Sequence, residues 1–156
     1  METRVRLRSW SMSDWPADDF TLDDNMRDLE MHWREHEEGS AFTYTILAPH
    51  RSSCLGCVYM KPLAPLFAQE HGAALGEWPS QAARVTFWLR ESRITDGLDQ
   101  RVLQHLIPWF REAWDVESVV FYTSELAGHQ QRLFETMGLT QRYVKRRDYG
   151  CYLAYR

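Results

Sequence analysis

The run Arg84-Val85-Thr86-Phe87-Trp88-Leu89-Arg90 is followed by a turn holding Gly97, an amphipathic stretch ending at Trp114, and a second β-rich run, Ser118-Val119-Val120-Phe121-Tyr122-Thr123. A short helical segment then closes on Met137-Gly138-Leu139. Aromatic and β-branched residues fill both runs, and between them Leu98, Val102, Leu106, Phe110 and Trp114 recur at four-residue spacing. The reading is strand, glycine turn, helix, strand. Such a unit sets two strands side by side in parallel and aims the N–H groups of the helix start at an anion such as phosphate. Pro108 lies inside the helical stretch, where its missing N–H predicts a kink or a restart of the helix.

On the N-terminal side of this unit, 5–8 reads as a short strand and 11–20 as irregular or briefly helical. Thr21 followed by Asp23 and Asp24 reads as a helix N-cap with an aspartate version of the capping box. Leu22, Met26, Leu29 and Trp33 continue at helical spacing to a stop at Gly39, which makes them the expected core-facing stripe. The alternation of 41–47, a turn at Pro49 and a second run at 54–60 predict an antiparallel hairpin. The connection 61–83 is longer than compact domains usually need, and reads as a surface insertion, a lid or a dimer contact. After the second β-rich run, Ser124 is a candidate helix cap, with Leu126, Leu133, Phe134 and Met137 on the apolar face and Gly138 as the stop. The tail, 140–155, reads as two strands turning near Arg147 to Gly150.

A chain of 156 residues with 44% hydrophobic residues and seven each of Trp, Tyr and Phe has the material for one well-buried domain. Its net charge of −4 argues against nucleic acid as a partner. No apolar run approaches the ~18 residues of a membrane span, and the start shows no signal-like hydrophobic region, so a cytoplasmic protein is expected. Cys54, Cys57 and Cys151 are an odd number for a disulfide framework. Cys54-Leu55-Gly56-Cys57 has the spacing of a redox or zinc pair, yet it opens a strand, where alternation sends the two thiols to opposite faces. The pair is expected to be neither bridged nor metal-bound. His32 and His36 share a helix face without the glutamate placement of a zinc protease motif, so a charged outer face is the reading for them.

Two segments resemble the cofactor motifs of the Gcn5-related N-acetyltransferases. That family's Gln/Arg-x-x-Gly-x-Gly/Ala turn aligns with Ile94-Thr95-Asp96-Gly97-Leu98-Asp99, followed by Val102 and Leu103 at the family's leucine positions, and Leu89 closes the preceding strand. Its later Asn-x-x-Ala-x-x-Leu-Tyr-x-x-x-Gly-Phe aligns with the segment from Ala127 to Leu139, keeping the spacing from Leu133 to Gly138. The resemblance extends from about Val5 to the C-terminus. It implies a single acetyltransferase domain over 1–156, of α/β class, with a mixed, mostly antiparallel twisted sheet flanked by helices. It implies acetyl-CoA as co-substrate, with Leu89, Arg93, Thr95, Asp96, Gly97, Leu98 and Asp99 at its binding site.

Several positions depart from the family pattern, and four of them bear on chemistry. Ile94 replaces the basic or amide residue of the turn, with Arg93 next door as a substitute. Asp99 stands where Gly or Ala permits close backbone approach, and its carboxylate is expected to repel a pyrophosphate and weaken binding. Phe134 takes the place of the tyrosine that protonates the leaving thiolate, and Phe has no proton to give. Ala127 takes that of the asparagine. The remaining proton-handling candidates are Tyr122 and Ser124, at the C-terminal end of the second β-rich run, where open α/β sheets bind ligands.

The leading expectation is transfer of an acetyl group to a small amine. The ten acids against two bases over 14–38 favour a cationic acceptor through steering, if they line the acceptor channel rather than a solvated face. Two alternatives stand beside it. One is a catalytically degenerate protein of the same fold that binds another ligand or a protein partner. The other is a scaffold in which the 61–83 loop makes a homodimer.

Overall fold

The computed structural model describes residues 21–49, 53–63, 81–94, 96–147 and 150–156. In chain order the elements are α1 (Leu22–Glu37), β1 (Phe42–Leu47), β2 (Cys54–Pro62), β3 (Ala82–Leu89), α2 (Glu91–Ile94), α3 (Leu98–Ala113), β4 (Ser118–Ser124), α4 (Gly128–Thr136), β5 (Gln141–Arg147) and β6 (Gly150–Tyr155). The six strands form one sheet in the order β1-β2-β3-β4-β6-β5. Among the described residues only β3 and β4 pair in parallel, and the other four pairings are antiparallel. The sheet is thus mixed and mostly antiparallel, and the parallel pair is joined through α3, as the sequence predicts. The strand expected at 5–8, the stretch 11–20 and most of the 61–83 connection lie outside the described residues.

Alternation along the strands divides the sheet into two faces. On one face Val58, Met60, Ala83, Val85, Phe87, Leu89 and Phe121 pack against Leu103, Leu106 and Phe110 of α3 and Phe134 of α4. Phe134 is fully buried, with its ring 6.1 Å from that of Phe87, 5.7 Å from Phe121 and 5.2 Å from Tyr155. α3 runs unbroken through Pro108, so no restart occurs there. The apolar spacing over 98–114 outweighs the single lost helix bond.

α1 begins as the sequence requires and packs as it does not. Thr21 and Asp24 form a complete capping box: Asp24 N–H donates to Thr21 Oγ1 at 3.2 Å, and Thr21 N–H donates to Asp24 Oδ2 at 3.0 Å. Gly39, at φ +67°, ends the helix in the left-handed region that favours glycine. Of the expected core stripe, however, Leu22, Met26 and Trp33 face outward, 55%, 45% and 72% exposed, while Leu29 is half-buried. Turned inward instead are the buried Asn25, His32 against the Tyr59 ring at 5.2 Å, and Glu35, whose carboxylate receives Lys61 Nζ at 2.7 Å. His36 packs edge-on against Phe42 and Tyr44 at 5.2 and 5.6 Å. His32 and His36 therefore do not form the solvated outer face that their spacing suggests. A capping box fixes where a helix starts, whereas its rotation is set by the groups it meets, and here β2 offers Tyr59 and Lys61.

Cys54 is half-buried and Cys57 fully buried, and the two are not bridged to each other. Among the described residues no cluster of His, Cys, Asp and Glu could hold a metal ion. Among them, too, no helix is long and apolar enough to cross a membrane.

Candidate functional site

β3 and β4 pair only over Ala82–Val85 and Ser118–Phe121. Beyond those four positions the strands part, and the ends of β3 and β4 form the two sides of a wedge. Gln130, in the first turn of α4, reaches across this opening. Its Nε2 donates to the Phe87 carbonyl at 3.1 Å, while its Oε1 accepts from Thr123 Oγ1 at 2.6 Å. One side-chain amide therefore satisfies a β3 backbone acceptor that the missing ladder leaves open, and it also pairs the Thr123 hydroxyl on β4.

At the mouth of the wedge lies a cavity of about 140 Å³ lined by Phe87, Trp88, Leu89 and Ile94, with Asp99 from α3 and Ala127, His129, Gln130 and Leu133 from α4 and its approach. Two helix starts meet here, and neither carries a side-chain cap. The α3 start is Gly97, in the left-handed region at φ +65°, and the α4 start is Ala127. Both add positive helix-dipole ends to a mostly apolar hollow whose polar lining is Asp99, His129 and Gln130. β2 holds the β3 side of the mouth closely. A Cβ at Gly56 would run into the Trp88 carbonyl oxygen and Leu89, so no other residue fits there without moving β3.

The residues expected at a cofactor site fall into three groups. Leu89 and Asp99 line the cavity. Arg93, Asp96, Gly97 and Leu98 frame it without lining it: Arg93 Nε lies 3.7 Å from Asp96 Oδ2 with both side chains about half exposed, and Leu98 packs onto the core. Thr95 lies outside the described residues.

Asp99 differs from expectation. It is 7% exposed, and both carboxylate oxygens are occupied: Oδ1 accepts from the Gln100 N–H at 2.9 Å and Oδ2 lies 2.5 Å from His129 Nε2. It is not a bare charge aimed at an incoming anion. His129, 30 positions away in sequence, is brought to it by the meeting of the two helix starts.

Tyr122 and Ser124 do not line this cavity. Alternation along β4 sends Phe121 and Thr123 toward α4, and Tyr122 joins Val120, Ala82, Leu63 and Ala154 on the opposite face. Arg84 lies over the Tyr122 ring, 5.4 Å from its centroid. Ser124 Oγ accepts from Leu126 N–H at 3.2 Å, so it caps the turn before α4 rather than the helix itself. Leu126, expected on the helix's apolar face, is 71% exposed in that turn. Across the sheet from the cavity, Trp88 Nε1 donates to Tyr59 Oη at 3.2 Å, and Tyr59 meets His32 of α1. Burial pushes the His32 imidazole below its ordinary 6.5, against the opposing pull of Glu35.

Three residues of this site escape a reading of the sequence: Thr123, His129 and Gln130. Gln130 had a signal, since it stands where the resembled motif has a small alanine. His129 had none, because nothing local ties it to Asp99.

No protein-family model matches the sequence, and no curated protein sequence does. Solved structures do match in three dimensions. A ribosomal L7/L12 alpha-N-protein acetyltransferase in complex with coenzyme A superposes with a TM-score of 0.67 at 16% identity, over 91% of this chain and 75% of its own. A spermidine N-acetyltransferase variant from Vibrio cholerae gives 0.64 at 7% identity, over 85% and 74%. The ribosomal-protein-S5-alanine acetyltransferase of Vibrio fischeri gives 0.63 at 13% identity, over 87% and 71%. At these identities the likeness speaks for architecture alone, and it is consistent across all three. The chain has the Gcn5-related N-acetyltransferase fold.

Proposed function

We propose that this chain is an N-acetyltransferase that takes its acetyl group from acetyl-CoA and passes it to a small amine. The observation that carries the reading is the wedge between β3 and β4, opening onto an apolar cavity where the starts of α3 and α4 meet. An extended thioester arm needs an apolar slot beside strand backbone, and a pyrophosphate needs helix N-termini. The wedge supports the first need and the Gly97 turn the second. A neighbour of the same fold is named as bound to coenzyme A, which supports the co-substrate.

The transfer itself asks little of side chains. The amine nitrogen, once it has lost a proton, attacks the thioester carbonyl carbon. The carbon–sulfur bond then breaks, and the departing thiolate takes up a proton. Phe134 supplies no such proton, since it is an apolar residue sealed in the core. Tyr122 and Ser124 are the hydroxyls we assign to proton handling, on the face across from the cavity, from which the acceptor would enter. Glu35 of α1 turns inward onto Lys61 and Asp24 and Asp28 are half-buried, while Asp23, Glu30, Glu37 and Glu38 are exposed. The structural neighbours are named for spermidine and for protein substrates, and a cationic small amine is the class we favour.

A second reading, a catalytically silent protein on this fold, is favoured by Gln130, whose amide already occupies the Phe87 carbonyl inside the wedge. One assay separates the two. Purified protein is given acetyl-CoA and a panel of cationic, neutral and acidic amines, and free thiol release is followed at low and high salt. The enzyme reading expects amine-dependent release, fastest with cationic amines and less selective as salt rises. Release no faster than hydrolysis across the whole panel would favour the silent protein.

A further inference from the structure

We propose that His129, held by the buried Asp99, is the phosphate-facing hydrogen-bond donor of this chain's acetyl-CoA site; the assignment rests on the acetyl-CoA reading above. By sequence, the turn has lost its basic residue to Ile94 and gained a carboxylate at Asp99. Taken alone, both changes oppose an anionic ligand. The geometry reverses the second. Asp99 is buried, its Oδ1 is taken by the helix N–H of Gln100, and its Oδ2 meets His129 Nε2 at 2.5 Å. The His129 side chain, by contrast, is 59% exposed and lines the cavity.

With Nε2 committed to the carboxylate, the ring's outer nitrogen, Nδ1, is left for a ligand. A phosphate oxygen can only accept, and Nδ1–H is the donor the ring can offer it. The pair then presents a donor toward the cavity rather than a carboxylate. The buried partner also fixes the ring in orientation, as second carboxylates do for functional histidines elsewhere. Two cations stand at the same helix starts. Arg101 Nη1 donates to the Asp96 carbonyl at 2.7 Å, against the Gly97 turn, and the Arg132 guanidinium lies over Gly128, 3.4 Å from where a Cβ would be. The basic residue missing at 94 is thus supplied from α4.

The test is a binding titration with two ligands, acetyl-CoA and S-acetylpantetheine, which has the same thioester arm without the pyrophosphate and nucleotide. His129→Gln should weaken acetyl-CoA about tenfold, less at high salt, and leave S-acetylpantetheine unchanged. Because Asp99 acts through His129, the His129→Gln loss should shrink in an Asp99→Asn background. Unchanged acetyl-CoA affinity in His129→Gln overturns the proposal. So does an equal loss for both ligands, which would mark a packing role, or a full loss retained beside Asp99→Asn. Wild-type protein that binds neither ligand overturns the acetyl-CoA reading, and this assignment with it. A wild type that binds both ligands and a variant that fails the pattern overturn only the assignment.

Discussion

Under α3 and α4 the sheet buries Val85, Phe87, Phe121 and Phe134, whereas the inward groups of α1 are Asn25, His32 and Glu35. On the first face hydrophobic periodicity decides which residues go inside. On the second, rotation follows a few specific polar pairs, and the apolar stripe of Leu22, Met26 and Trp33 turns to solvent. The contrast separates helices seated by apolar periodicity from a helix seated by polar pairs.

Mutation should expose that asymmetry most strongly in the core. Phe134→Ala removes a fully buried ring from a four-aromatic cluster and should destabilise by about 3–5 kcal/mol in urea unfolding. Trp33→Ala, on the outward side of α1, should stay within about 0.5 kcal/mol of wild type. A similar loss at both positions would mean that α1's apolar stripe is covered in solution.

Next in size is the wedge. Gln130→Ala strips the partners from the Phe87 carbonyl and Thr123, and should cost about 1–3 kcal/mol, with faster hydrogen exchange at the ends of β3 and β4. No change in stability would show that water replaces the amide without penalty. Thr21→Ala breaks the capping box of α1 and should cost about 1 kcal/mol by the same unfolding assay.

The smallest effect is a pH dependence on the α1 face. His32 is held below its ordinary 6.5 chiefly by burial, so below that value the unfolded chain binds more protons than the folded one. Stability should therefore fall as pH drops from 6.5 toward the folded value, and His32→Gln should flatten that part of the profile. A profile unaltered by the substitution would place the acid sensitivity elsewhere.

The same contrast explains what could be read in the sequence. The crossover from β3 through α3 to β4 was legible because Leu98, Val102, Leu106 and Phe110 repeat on one helix face between two β-branched runs. The capping box at Thr21 and the glycine stops at Gly39 and Gly138 were equally local signals. The packing of α1 was not legible, because its partners Tyr59 and Lys61 lie far along the chain and are polar. For the same reason the sequence shows in Asp99 only a carboxylate that repels a pyrophosphate: its meaning depends on His129, which only the folded chain brings alongside. Gly97 was readable as a turn, but the wedge it faces is a matter of two strands ceasing to pair, and no residue announces that.

The most direct test of the central claim is a calorimetric titration of the wild-type protein with acetyl-CoA, joined to hydrogen exchange on the complex. The account predicts one saturable site per chain, with new protection confined to Phe87 through Leu89, the Gly97 turn and the start of α4. Absence of binding, or protection appearing under α1 while the wedge stays unchanged, would contradict it.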